Sequence, residues 1–176
     1  NDEKVLAKMR NINDYFLYVE YGDITETLDP VTSLGSLDWG RGVWEYQSYW
    51  NWASASGFLA DGRTIGLNFG QGFGDLSKAG ENAIILNNRI HKLEQVKFDY
   101  TSGDYMKPWK FTDTENRLDL TFTPFKDRLA QTNLGIITSK VHQMFGRYNG
   151  FAVTDEGEKI QITDLIGFAE EHHAKW

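Results

Sequence analysis

The stretch DWGRGVWEYQSYWNWASASG (38–57), followed across an Asp61-Gly62 turn by RTIGLNFGQGFG (63–74), decides the fold. Four of the six tryptophans lie within it. Aromatic residues alternate with small and polar ones along the first limb, and Asp-Gly between alternating limbs is the strongest short-range hairpin signal. A two-residue turn predicts Phe58 opposite Ile65, Ser56 opposite Leu67 and Ser54 opposite Phe69, with Trp52 continuing that bulky apolar face. The other face then carries Gly57 opposite Gly66, Ala55 opposite Asn68, Ala53 opposite Gly70, and Asn51. A face so bare of side-chain volume either receives a close-packed neighbour or forms a cavity floor with Asn51 and Asn68 as orienting amides.

The same pattern extends in both directions. Val5, Met9 and Ile12 at helical spacing predict a short N-terminal helix ending near Asn13 and Asp14, after which Tyr15, Leu17, Val19 and Tyr21 alternate as a strand. Asn87-Asn88 between AIIL and RIHKL predicts a second hairpin, because asparagine tolerates positive φ. A polar turn through Asn116 links Trp109–Thr112 to Leu118, Leu120 and Phe122, and Asp155-Glu156-Gly157 leads from the long segment Ile136–Tyr148 into KIQITDL. About eight to ten short strands with little helix predict an all-β, antiparallel barrel or sandwich.

The 176 residues fit one domain, 1–176, large enough to bury a sizeable core. A net charge of −7 and no local Lys/Arg cluster argue against a nucleic-acid partner and against anionic membranes. Zero cysteines exclude disulfides, thiol nucleophiles and thiolate metal sites. No apolar run approaches the ~20 residues of a membrane span, and no signal-peptide core is present, so a cytoplasmic location is expected. Because the chain starts at Asn1 rather than Met, it reads as a processed form or a fragment of something longer.

Two segments could carry acid–base chemistry. Asp38 and Arg41 lie among Gly40 and Gly42, where the backbone can bring them together either as a structural ion pair or as a general acid and its partner. In IGFAEEHHAKW (166–176), an extended reading puts Ile166, Phe168, Glu170 and His172 on one face and Leu165, Gly167, Ala169, Glu171 and His173 on the other. Glu170 and His172 are then a proton-handling pair or polar groups satisfied at a barrel mouth. His91 shares a strand face with Ile84 and Leu93, as a structural histidine or a ligand contact. Trp44, Tyr46, Trp50 and Trp52 form an aromatic stripe that serves as core, as an apolar ligand wall or as a sugar-stacking platform. No metal is expected, since no ligand spacing occurs, and no cofactor, since the GxGFG segment joins strands and lacks a following Lys-Ser/Thr. No Gly-x-Ser-x-Gly nucleophile elbow occurs either.

The ordered blocks DWGRGVW (38–44), WNWASASG (50–57), GLNFGQGFGD (66–75), ENAIILNNRIHKL (81–93), LTFTPFKDR (120–128), TNLG…KVHQMFGRYNG (132–150) and GFAEEHHAKW (167–176) resemble the bacterial family known as domain of unknown function 2804. Asn87-Asn88 stands where Asp-Gly is usual, and Phe168 where Trp is common. The resemblance implies a lipocalin-like, calycin-type barrel, closed or half-open, distantly similar to two-domain proteins that include carotenoid hydratases and tocopherol cyclase. It further implies that this chain is the C-terminal part of a longer two-domain protein. The missing N-terminal half would be a partner, and an apolar patch left uncovered would promote self-association.

Three functions follow as expectations. The first is a binder of a hydrophobic small molecule in a β-barrel cavity, with Trp44, Tyr46, Trp50, Asn51, Trp52, Asn68 and His91 as contacts. A cofactor-free hydratase, isomerase or cyclase would instead use Asp38, Arg41, Glu170 and His172, converging at one end of the cavity. A carbohydrate-active β-sandwich would need two carboxyl groups facing each other across a cleft.

Overall fold

The computed structural model describes residues 6–11, 14–21, 23–29, 31–35, 43, 45–76 and 80–176. Two compact units divide the chain, Asn1–Asp38 and Trp39–Trp176. In the first, β1 (Leu6–Asn11), β2 (Asp14–Tyr21) and β3 (Ile24–Leu28) pair antiparallel in that order. The helix expected from Val5, Met9 and Ile12 is not formed. Met9 instead pairs with Leu17 and Ala7 with Val19. A helix of about two turns is marginal in water, whereas LAKMRN beside the alternating β2 gains a ladder of hydrogen bonds.

The second unit is one antiparallel sheet of nine strands. They are β4 (Gln47–Phe58), β5 (Thr64–Gln71), β6 (Ala83–Leu86), β7 (Arg89–Lys92), β8 (Val96–Asp99), β9 (Trp109–Asp113), β10 (Leu118–Asn133), β11 (Thr138–Val153) and β12 (Lys159–Lys175). Their order across the sheet is β7-β6-β5-β4-β12-β11-β10-β9-β8, and the sheet curls into a half-barrel. No helix occurs among the described residues. Asn87 and Asn88 both adopt positive φ in the tight turn predicted for them, as does Asn116 in the turn between β9 and β10.

The β4–β5 register corrects the expected one by a single residue. Leu59 N donates to Arg63 O and Gly62 N to Leu59 O, with Gly62 at φ +85°, so three residues form the loop rather than two. This is the type I turn closed by a left-handed glycine. Ala55 therefore faces Leu67, Ala53 faces Phe69 and Ser54 faces Asn68. A one-residue slip exchanges faces. Trp52 and Phe58 thus leave the face of Leu67 and Phe69, and Asn51 and Asn68 lie on opposite faces rather than together.

The interior face is densely filled. Trp109, Tyr148, Phe69, Phe111 and Phe122 are fully buried there, alongside Ile65, Leu67, Ile84 and Leu120. Their rings meet edge-on or tilted, as in Phe98–Phe111 at 4.8 Å and Phe122–Tyr148 at 4.6 Å. Small residues make room for them. A Cβ at Gly146 would lie 2.5 Å from the Phe122 ring, and one at Gly167 would lie 2.4 Å from Ser54 O. Where the sheet edges approach without pairing, two amides bridge the seam. Gln71 Oε1 accepts from Phe98 N at 3.2 Å, while Asn82 accepts from Gly70 N and donates to Glu94 O.

Candidate functional site

Four strands outrun their neighbours at one end of the half-barrel. β5 pairs with β4 only between Asn51 and Phe58, and β9 pairs with β10 only along Asp119–Phe122. Beyond those limits β4, β12, β11 and β10 continue as an apron. Pro124 marks the break: it sits at a register shift in β10, where its missing N–H suits a bulge. One rung across the sheet at the apron's root reads Gln71, Asn51, Glu171, His142, Leu129. Alternation puts these side chains on one face, where Asn51 and Glu171 are buried and Gln71 and Leu129 are exposed.

Glu171 is the centre of the arrangement, only 4% exposed. The loop between β8 and β9 folds over it. Tyr100 Oη donates to Oε2, Tyr105 Oη donates to Oε1 at 2.5 Å, and His173 Nε2 lies 3.0 Å from Oε1. Asn51 Nδ2 donates to Tyr100 Oη at 3.0 Å, and Tyr49 Oη lies 2.8 Å from the same oxygen. Tyr100 stacks on Trp109 at 3.9 Å and Tyr105 on His142 at 4.2 Å. His142 Nδ1 is in turn 3.1 Å from Asp127 Oδ2.

Burial alone pushes the Glu171 carboxyl upward, but the donors Tyr100, Tyr105 and His173 outweigh it and hold the group below its ordinary value. The two phenols move up, first because they are buried and then because they donate to a carboxylate. The result is an ionised carboxylate held by two phenols and a histidine within an aromatic collar. His173, largely exposed, connects it to solvent. A 440 Å³ recess lined by Gln47, Tyr49, Thr138, His173 and Lys175 opens beside it. A larger groove of 950 Å³ is lined by Gly70, Gln71, Asn82, Val96 and Asp113.

The opposite face of the same strands bears the pair anticipated from alternation. Glu170, 6% exposed, accepts from Gln143 Nε2 at 2.9 Å, and His172 Nε2 lies 2.9 Å from Ser139 Oγ. Trp50 packs on His172 at 3.9 Å, Trp52 meets Phe168 edge-on at 4.9 Å, and Trp52 Nε1 donates to Asn68 Oδ1. Burial, and then the neighbouring His173, lowers the His172 pKa to about 4. It is neutral at ordinary pH.

The structure thus brings Glu170 and His172 onto one face with Trp50, Trp52 and Asn68, and separates them from Asn51. Asp38, Arg41 and Trp44 lie outside the described residues. Tyr46 precedes β4 at the apron's end, exposed, with Oη 3.4 Å from Ile136 O. His91 is buried among β7 partners and accepts from Asp155 N at 3.2 Å, near the turn between β11 and β12. Glu171, Tyr100, Tyr105, His142 and His173 were not singled out by sequence. The placement of Glu171 beside Ala169 and Leu165 was available from alternation, but no local pattern shows that a loop some 70 residues away supplies its tyrosines.

Among the described residues no group of three or more His, Cys, Asp or Glu side chains is placed to hold a metal ion, and no helix is long and apolar enough to cross a membrane. The family model described as Domain of unknown function (DUF2804) matches residues 17–176. The chain belongs to DUF2804. The match spans the whole nine-stranded sheet of this DUF2804 chain, the Glu171 collar included. No curated protein and no solved structure matches it.

Proposed function

We propose that this protein holds a small hydrophobic molecule with one polar head at the open end of the half-barrel, the head directed to the Glu171 collar. One observation carries the reading: an ionised carboxylate is kept almost fully buried among aromatic rings, beside a recess that reaches it through His173. Burying a charge is costly, and a rung of aliphatic side chains would close the core without that cost. Apolar walls with a few converging polar groups are the usual make-up of small-molecule sites. The interior of the rolled part is filled by Trp109, Phe111 and Phe122, which favours the apron end as the place of binding.

A second reading, a cofactor-free acid–base enzyme of the hydratase, isomerase or cyclase type, is supported by the hydrogen-bond chain from exposed His173 through Glu171 to Tyr105. Such a chain can pass a proton between solvent and a buried hydroxyl. Glu170 and His172 lie together on the other face and would carry the alternative acid–base chemistry, to which the sequence reading adds Asp38 and Arg41. A glycosidase-like pair is disfavoured, because Glu170 and Glu171 point to opposite faces and cannot flank one bond.

The test is a thermal-shift screen of the wild type and Glu171→Gln against C10–C20 alcohols, ketones and carboxylic acids. The reading expects at least one class to raise the melting temperature of the wild type and not of Glu171→Gln. Equal shifts in both proteins, or none in the wild type, would sink it.

A further inference from the structure

The hairpin that joins β10 to β11 has an anomalous tip. Leu134 N donates to Ile137 O at 2.8 Å and Gly135 adopts φ +81°, so Leu134-Gly135-Ile136-Ile137 is the turn itself. Turns are ordinarily polar, built from Gly, Asn, Asp, Ser and Pro. Here Leu134 is 72% and Ile136 73% exposed, with Ile137 beside them. Tyr46 and Trp176, each about half exposed, join the same rim: Tyr46 Oη reaches Ile136 O, and Trp176 N donates to Tyr46 O at 3.0 Å. The apolar rim is therefore continuous across two strand ends and the β10–β11 turn.

Pairing also gathers positive charge that is scattered in the sequence. Lys175 faces Thr138 across the ladder, Lys140 faces His173 two residues further on, and Lys175 Nζ lies 5.4 Å from the centre of the Tyr46 ring. Against these stands Glu45, next to Tyr46. A chain of net charge −7 thus presents a locally basic edge around exposed aliphatic and aromatic side chains.

We infer that this rim docks on an anionic phospholipid bilayer, with Leu134, Ile136 and Ile137 entering the interface and Lys140 and Lys175 meeting lipid headgroups. Three features favour a bilayer over a protein partner. The aliphatic point is a single four-residue turn, Leu134–Ile137, rather than an area of the ~800 Å² per side that stable protein complexes use. Its aliphatic point flanked by Tyr, Trp and Lys follows the order of residues met at a membrane interface. Its charge complements anionic lipid while the rest of the molecule is acidic. The inference does not depend on the ligand reading, although the recess beside His173 opens at this same end.

Flotation of the full chain with unilamellar vesicles of mixed phosphatidylcholine and phosphatidylglycerol tests it. The wild type should float with them, and less with phosphatidylcholine alone or at high salt. Leu134→Ser/Ile136→Ser/Ile137→Ser should weaken binding by about tenfold or more. Lys140→Glu/Lys175→Glu should weaken it severalfold, with the circular dichroism spectrum unchanged in both variants. A wild type that leaves every vesicle unbound, or that binds equally after the serine substitutions, overturns the proposal. A wild type that ignores vesicles but dimerises in sedimentation runs, with the dimer lost in the serine variant, overturns it in favour of a second copy of this chain.

Discussion

Glu170 and Glu171, consecutive on β12, are both buried and face opposite sides of one sheet. Glu171 enters the interior against Tyr100, Tyr105 and His173, and Glu170 lies outside it against Gln143 and beside Trp52. A strand with period two can do this only when both faces are covered near that point. The consequence is that the two carboxylates can be perturbed separately.

Removing a tyrosine hydroxyl from the collar should raise the Glu171 pKa. Tyr100→Phe and Tyr105→Phe each delete one donor that holds the carboxylate ionised against its burial. An NMR titration of the Glu171 side chain checks this, and an unchanged midpoint in both variants would contradict the assignment. Glu171→Ala, which removes the acceptor of both phenols and leaves Tyr100 only Tyr49 and Asn51, should cost on the order of 1–3 kcal/mol in urea unfolding.

Acid should destabilise the protein before ordinary carboxylates titrate. His172 has a folded pKa of about 4 against an ordinary 6.5, so between those values the unfolded chain binds the extra proton. Stability from this group is complete above about pH 6.5 and is lost as pH falls toward 4. After discounting for solvent screening, the loss is on the order of 1–2 kcal/mol. Melting temperatures across that window should flatten in His172→Gln; an unaltered slope would assign the pH dependence elsewhere.

Trp52→Ala should cost only about 1–2 kcal/mol, because the ring packs edge-on against Phe168 on the outer face. Phe111→Ala, in the filled interior, should cost about 3–5 kcal/mol. Chemical denaturation of the two variants measures the contrast, and equal losses would restore Trp52 to the core.

Gly167→Ala should destabilise by about 2–3 kcal/mol, since its new methyl would overlap the Ser54 carbonyl. Gly35→Ala, with open space around it, serves as the control. Similar melting curves for the two would mean that β12 and β4 can separate at this point without loss.

The strands from Gln47 onward were legible because alternation and turn residues agreed, as at Asn87-Asn88 and Asn116. Register was less so: an Asp-Gly pair supports both a two-residue loop and the three-residue loop found, and the choice turned every side chain of β4 relative to β5. The N-terminal segment misled because three apolar residues at helical spacing fit a strand equally once β2 offers a ladder. Glu170 and His172 were recognisable from one strand's alternation. The Glu171 collar was not, because Tyr100, Tyr105 and Asn51 reach it only through tertiary folding.

Native mass spectrometry of the protein purified under non-denaturing conditions from its own source tests the central claim most directly. The account predicts that the wild type carries a hydrophobic compound of a few hundred daltons, released on activation, which Glu171→Gln, folded by circular dichroism, has lost. A wild type that emerges bare, or a Glu171→Gln protein that retains the same compound in the same amount, would contradict a ligand site at the Glu171 collar.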